Sequence, residues 1–137
     1  MLSNDLRGLN PFDGQYAAIL TQQGKVIADV RVLCAMNSFY LDFWENLKAK
    51  VIGHLQRYLV ADDVEIGDRT AEYTFLSVQG PSAEMVLQKL LNDAPLPTRP
   101  KQHAMIAIEG AAICIIREDR GGDPAFDLVV PRGNAIQ

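Results

Sequence analysis

An α+β fold, built mostly of antiparallel sheet with two or more helices, is predicted from three observations. Segments with period-two alternation outnumber those with helical periodicity. The strands come in runs, in the order βββ-α-ββ-α-βββ, and do not alternate singly with helices as in a doubly wound sheet. Short turns rich in Gly and Asn join the neighbouring strands.

The first element is "QYAAIL", Gln15 to Leu20, and "TQQGK" turns the chain into a second strand from Val26 to about Cys34. "NSFYLDF" gives a third strand, its turn initiated by Asn37 and Ser38. From Glu45 to Leu59, Leu47, Val51, Leu55, Tyr58 and Leu59 recur at helical spacing, which predicts an amphipathic helix. Phe43 and Trp44, just before it, read as staple and core residues in preference to a stacking platform.

"ADDVEIGD" suggests a short strand at Val64 to Ile66, paired with "AEYTFLSVQ", Ala71 to Gln79. "GPSAEMVLQKLL" is the next helix, with Pro81 in its first turn and Val86, Leu87, Leu90 and Leu91 as the buried stripe. "NDAPLPTRPK", which holds Pro95, Pro97 and Pro100, is a loop, and His103, two residues past it, reads both as a loop residue and as the head of the strand that follows. The strands "HAMIAIE" and "AICIIRE" flank a tight "GA" turn, and the Gly-rich loop "DRGGDPA" leads to a last strand, "FDLVVP". "RGNAIQ" reads as the start of something the chain does not complete, so residues 1–137 are expected to be a single domain truncated at its C-terminal end.

With 137 residues, the chain is long enough to bury a core without staples. Its net charge of -4 argues against nucleic acid and anionic membranes as partners. No apolar run has the length of a membrane span and the N-terminus lacks the pattern of a leader, so the chain reads as cytoplasmic. Cys34 and Cys114 each lie within an apolar run and read as buried free thiols. Neither His54 nor His103 has a second His or Cys at ligand spacing, so no metal site is expected.

Two places concentrate charge in a suggestive way. In "GKVIADVRV", Val26, Ala28, Val30 and Val32 share one side of the strand, while Asp29 and Arg31 share the other, about 6 to 7 Å apart along it. They read either as the solvated face of the strand, close enough to pair, or as carrying a working carboxylate; a carboxylate among apolar neighbours is one way of preparing a general base. In "REDRGGDPAFD", Glu118, Asp119, Arg120 and Asp123 stand beside two glycines, which suits either a solvated hairpin loop or close backbone approach to a ligand. "SVQGPSAE" lacks the repeated glycines of a phosphate-binding loop and reads as a strand-to-helix junction.

Taken in order, "SNDLRGL", "GQYAAILTQQGKVIADVRVL", "LQRYLVADDVEI", "VQGPSA" and "FDLVVP" resemble the aminomethyltransferase folate-binding family, which includes the glycine-cleavage T-protein and the YgfZ-type folate-binding proteins. The resemblance runs from Asn4 to Pro131 and rests on the ordered set, not on one motif. It implies an α+β folate-binding domain with tetrahydrofolate or a derivative as cofactor. Asp29 matches the family carboxylate that meets the reactive folate nitrogen, making it the candidate catalytic and cofactor-binding residue. Asp123 matches the pterin-binding glutamate of the family's Thr-Gly-Glu loop, with one methylene fewer.

Ala28 stands where the T-protein has the first aspartate of a pair, and Lys25 where it has a second glycine. Both departures look like the YgfZ branch, whose Lys-Gly-Cys stretch would lie downstream. That branch implies a non-catalytic tetrahydrofolate-binding domain serving the assembly or repair of iron-sulfur proteins. The alternatives are a folate-dependent aminomethyl or other one-carbon transferase, and a fragment that folds and self-associates without binding folate.

Overall fold

The computed structural model describes residues 6, 8–58 and 65–134. The chain divides into two compact units, Met1–Asp68 and Arg69–Gln137. The fold is α+β, with antiparallel sheets and two α-helices.

The first unit contains strands β1 (Gly14–Leu20), β2 (Val26–Cys34) and β3 (Phe39–Asp42), followed by helix α1 (Lys48–Tyr58). The strands form one sheet in the order β1-β2-β3, so β2 is its centre. Alternation along the strands puts Ala17 and Ile19 of β1 and Ala28, Val30 and Val32 of β2 on one face, where Val51 of α1 completes the core. Phe43, Leu47 and Leu55 pack against that cluster from its edge. Trp44, expected in the core, is 79% exposed. The extended backbone at Trp44 and a 3₁₀ turn at Glu45–Leu47 precede α1, which is therefore shorter than the helix predicted from Glu45 to Leu59. Leu59 lies outside the described residues.

The second unit is a four-stranded sheet, in the order β4-β7-β6-β5, of β4 (Tyr73–Gln79), β5 (His103–Ile108), β6 (Ala111–Arg117) and β7 (Ala125–Pro131), with helix α2 (Ala83–Leu90). Of the strand expected at Val64 to Ile66, the described part does not pair with β4. Val64 lies outside the described residues, Glu65 and Ile66 are not extended into a strand, and β4 pairs antiparallel with β7 instead. Strand β7 is the longer and more apolar partner, and its burial compensates for the long connection that the pairing closes.

β5 and β6 join through Glu109 and Gly110, both at positive φ (49° and 83°), between the paired residues Ile108 and Ala111. This is the two-residue turn whose twist matches a hairpin, and it shifts the expected Gly-Ala turn back by one residue. His103, read from sequence both as a loop residue and as the head of the strand, is the first residue of β5 and is buried.

Ala83, Leu87 and Leu91 form the buried seam of α2 against Ile115 and Phe126. Val86 and Leu90 are not part of it, and Leu90 is 68% exposed. A helix this short lays a narrow i, i+4, i+8 line on the flat sheet, and residues one turn-step aside reach solvent. Cys34 and Cys114 are free thiols, Cys34 buried and Cys114 half-buried.

These burial differences set unequal costs for truncation. Phe126 is fully buried, so Phe126→Ala is expected to lower stability by about 3 to 5 kcal/mol. Leu90→Ala should stay within about 0.5 kcal/mol of the parent. Urea denaturation of the two variants checks this, and equal midpoints would contradict the seam.

Candidate functional site

Because β2 commits Ala28, Val30 and Val32 to the core, the chemistry it can offer lies on its other face, with Asp29, Arg31 and Leu33. On that face Arg31 stands opposite Tyr16 of β1 and Asp42 of β3, Asp29 opposite Ala18, and Leu33 opposite Tyr40. Tyr16 and Tyr40 are both exposed.

Arg31 is not the solvated charge expected from the alternation; it is only 5% exposed. Its Nη2 donates to Oδ2 of Asp42 at 2.6 Å. The side chain of the expected partner, Asp29, makes no hydrogen bond or ion pair among the described residues. The reason is geometric. Side chains directly opposite each other on neighbouring strands approach more closely than side chains two apart on one strand. Asp29 is left exposed, not held among apolar neighbours, with the small Ala18 across from it.

The second candidate acid belongs to the second unit. Between β6 and β7, Arg120 and Asp123 form a backbone bridge in which each N–H donates to the other's carbonyl at 3.0 Å. Gly121 and Gly122 fill the turn at φ 61° and 85°, a conformation glycine adopts without steric cost. The surrounding charges are paired. Lys101 Nζ donates to Glu118 Oε1 at 3.2 Å, and Arg117 Nε to Asp119 Oδ1 at 3.1 Å. Arg117 also lies over the Phe126 ring, 5.5 Å from its centroid. Arg120 grips the buried Asp127 through both terminal nitrogens, Nη1 to Oδ1 at 3.1 Å and Nη2 to Oδ2 at 3.0 Å. Asp123 is exposed, and its carboxylate has no partner among the described residues.

Asp29 and Asp123 are thus exposed carboxylates without a side-chain partner among the described residues, one in each unit. Both are residues selected from sequence, Asp29 and Asp123. Asp42, Asp127, Tyr16 and Tyr40 were not selected. Asp42 and Asp127 carried a signal, each an acid inside an otherwise apolar strand pattern. Among the described residues no group of three or more His, Cys, Asp or Glu could hold a metal ion. No helix among them is long and apolar enough to cross a membrane.

A family model described as the GCVT N-terminal domain matches residues 1–137. The chain belongs to that family. Among curated proteins it is similar to an aminomethyltransferase of Shouchella clausii, 32% identical, with 100% of this chain and 38% of the relative covered. An aminomethyltransferase of Chloroherpeton thalassium is 28% identical over 98% of this chain and 38% of its own length. One of Rubrobacter xylanophilus is 25% identical over 93% of this chain and 34% of its own length. The chain thus spans little more than a third of these relatives.

The site geometry separates two carboxylates on one sheet. Asp42→Ala removes a carboxylate bonded to buried Arg31 and should cost about 2 to 4 kcal/mol. Asp29→Ala removes an exposed, unpartnered group and should change stability by less than about 0.5 kcal/mol. Chemical denaturation in parallel tests the contrast, which fails if Asp29→Ala is the more damaging.

Proposed function

We propose that the chain is a tetrahydrofolate-binding domain of an aminomethyltransferase-type protein, with Asp29 meeting the reactive nitrogen of the folate and Asp123 a donor edge of its pterin. The observation that carries this reading is the Asp29 carboxylate, exposed and unpartnered on the central strand at the place of the family's carboxylate. Family membership and the aminomethyltransferases among its relatives support it.

The residues fit such a ligand in kind. A reduced folate presents N–H donors on its pterin and linking nitrogens, and free carboxylate oxygens are strong acceptors for them. When bound, the folate supplies a nitrogen that carries the one-carbon unit. Asp29 would orient that nitrogen and hold or accept a proton at its Oδ atoms. Asp29 lies where β2 pairs with β1, opposite Ala18, and two residues further on β2 is also paired with β3, so this carboxylate rides on a supported strand. Arg31, committed to Asp42, leaves it unclaimed.

A second reading, the YgfZ-type role in iron-sulfur protein assembly or repair, is favoured by Ala28 and Lys25 at the two positions where the chain departs from the T-protein pattern. An assay of the full-length protein for folate-dependent aminomethyl transfer separates the two: turnover sustains the transferase, and folate binding without turnover sustains the YgfZ-type role.

Asp29→Asn keeps the shape but not the charge, and is expected to weaken tetrahydrofolate binding to the full-length protein at least tenfold, about 1.4 kcal/mol. Calorimetry giving an unchanged affinity would overturn the assignment. Asp123→Glu restores the longer family side chain and should preserve or tighten binding. A tenfold loss in the same titration would count against Asp123 as a pterin ligand.

A further inference from the structure

We infer that Arg120 is a positioning residue that presents Asp123 to the ligand, an inference that rests on the folate-binding reading above. A turn tipped by two adjacent glycines has little intrinsic rigidity, since glycine keeps more backbone freedom than any other residue. A carboxylate at the end of such a turn would lose part of its binding energy to ordering.

The side chain of Arg120 supplies the missing constraint. It forks onto both carboxylate oxygens of Asp127, at 3.1 and 3.0 Å, and Nη1 also donates to Ser77 Oγ at 3.1 Å. Ser77 of β4 and Asp127 of β7 are directly opposite in the sheet register, so one guanidinium fastens the turn to two strands. Asp127 is only 6% exposed, which gives the clamp a fixed base. The backbone of the same arginine then bonds to Asp123 in both directions. The anchor and the presented acid are thus the two ends of a single turn.

The clamp has a second effect. A guanidinium three residues from Asp123 is a natural partner for it, yet the fork is occupied by Asp127. The oxygens of Asp123 stay available to ligand donors. A lysine at position 120 would keep the charge but not the planar two-pronged grip, and could swing to Asp123.

The test is made on full-length protein with 5-formyltetrahydrofolate, an air-stable reduced folate, as the probe. Arg120→Lys should speed amide hydrogen exchange at Asp123 about tenfold in the ligand-free protein and weaken probe affinity about tenfold. In an Asp123→Asn background the same substitution should cause no further loss of affinity, because its effect passes through Asp123. The paired variant Arg120→Gln/Asp127→Asn, which leaves no buried unpaired charge, guards against misfolding and should show the same faster exchange. Unchanged exchange in both variants, or an affinity loss as large in the Asp123→Asn background as in the parent, would overturn the positioning role. A parent protein that fails to bind the probe overturns the folate reading, while the exchange measurements still judge the clamp alone.

Discussion

Strand β2 has no face to spare. Its even-numbered residues Ala28, Val30 and Val32 are packed into the core of the first unit, so everything polar on the strand must share the opposite face. Arg31 is buried there nonetheless, and a buried charge costs several kcal/mol unless it is paired. Register settles the partner, because Asp42 is directly across on β3. The Arg31 guanidinium turns to that carboxylate, and Asp29 is left exposed.

The second unit follows the same rule with different parts. Glu118 and Asp119 of its loop between β6 and β7, and Asp127 within β7, each hold a cation, and Asp123 does not. In both units the arginine nearest in sequence to the candidate acid is committed to another aspartate. Such pairs add little net stability where they are exposed, and where one member is buried it is their breaking that is costly. Their larger consequence here is chemical, since they decide which carboxylates remain open to a ligand.

The departures from the T-protein pattern also acquire a physical setting. Ala28, at the place of that family's first aspartate, is 3% exposed and packs among Val30, Val32 and Ile19. A carboxylate at that site in this chain would be desolvated without a partner, and alanine fills the space as part of the core. Lys25 sits in the exposed turn between β1 and β2, where it disturbs no packing. The charged residues of the strand are thereby confined to Asp29 and Arg31 on the outer face.

Much of this was legible in the residues themselves. The α+β class, strands β1, β2, β3, β6 and β7, the existence of both helices and the choice of Asp29 and Asp123 all follow from alternation, turn chemistry and ordered resemblance. Each of these is a local property, or a match read along the chain. The pairing of β4 with β7, the burial of Arg31, the exposure of Trp44 and Leu90, and the grip of Arg120 on Asp127 were not legible. They depend on which residues face each other across strands, and that register is set by packing between segments far apart in sequence. Periodicity can say that Asp29 and Arg31 share a face; only the folded sheet decides that Arg31 turns to Asp42 and leaves Asp29 open.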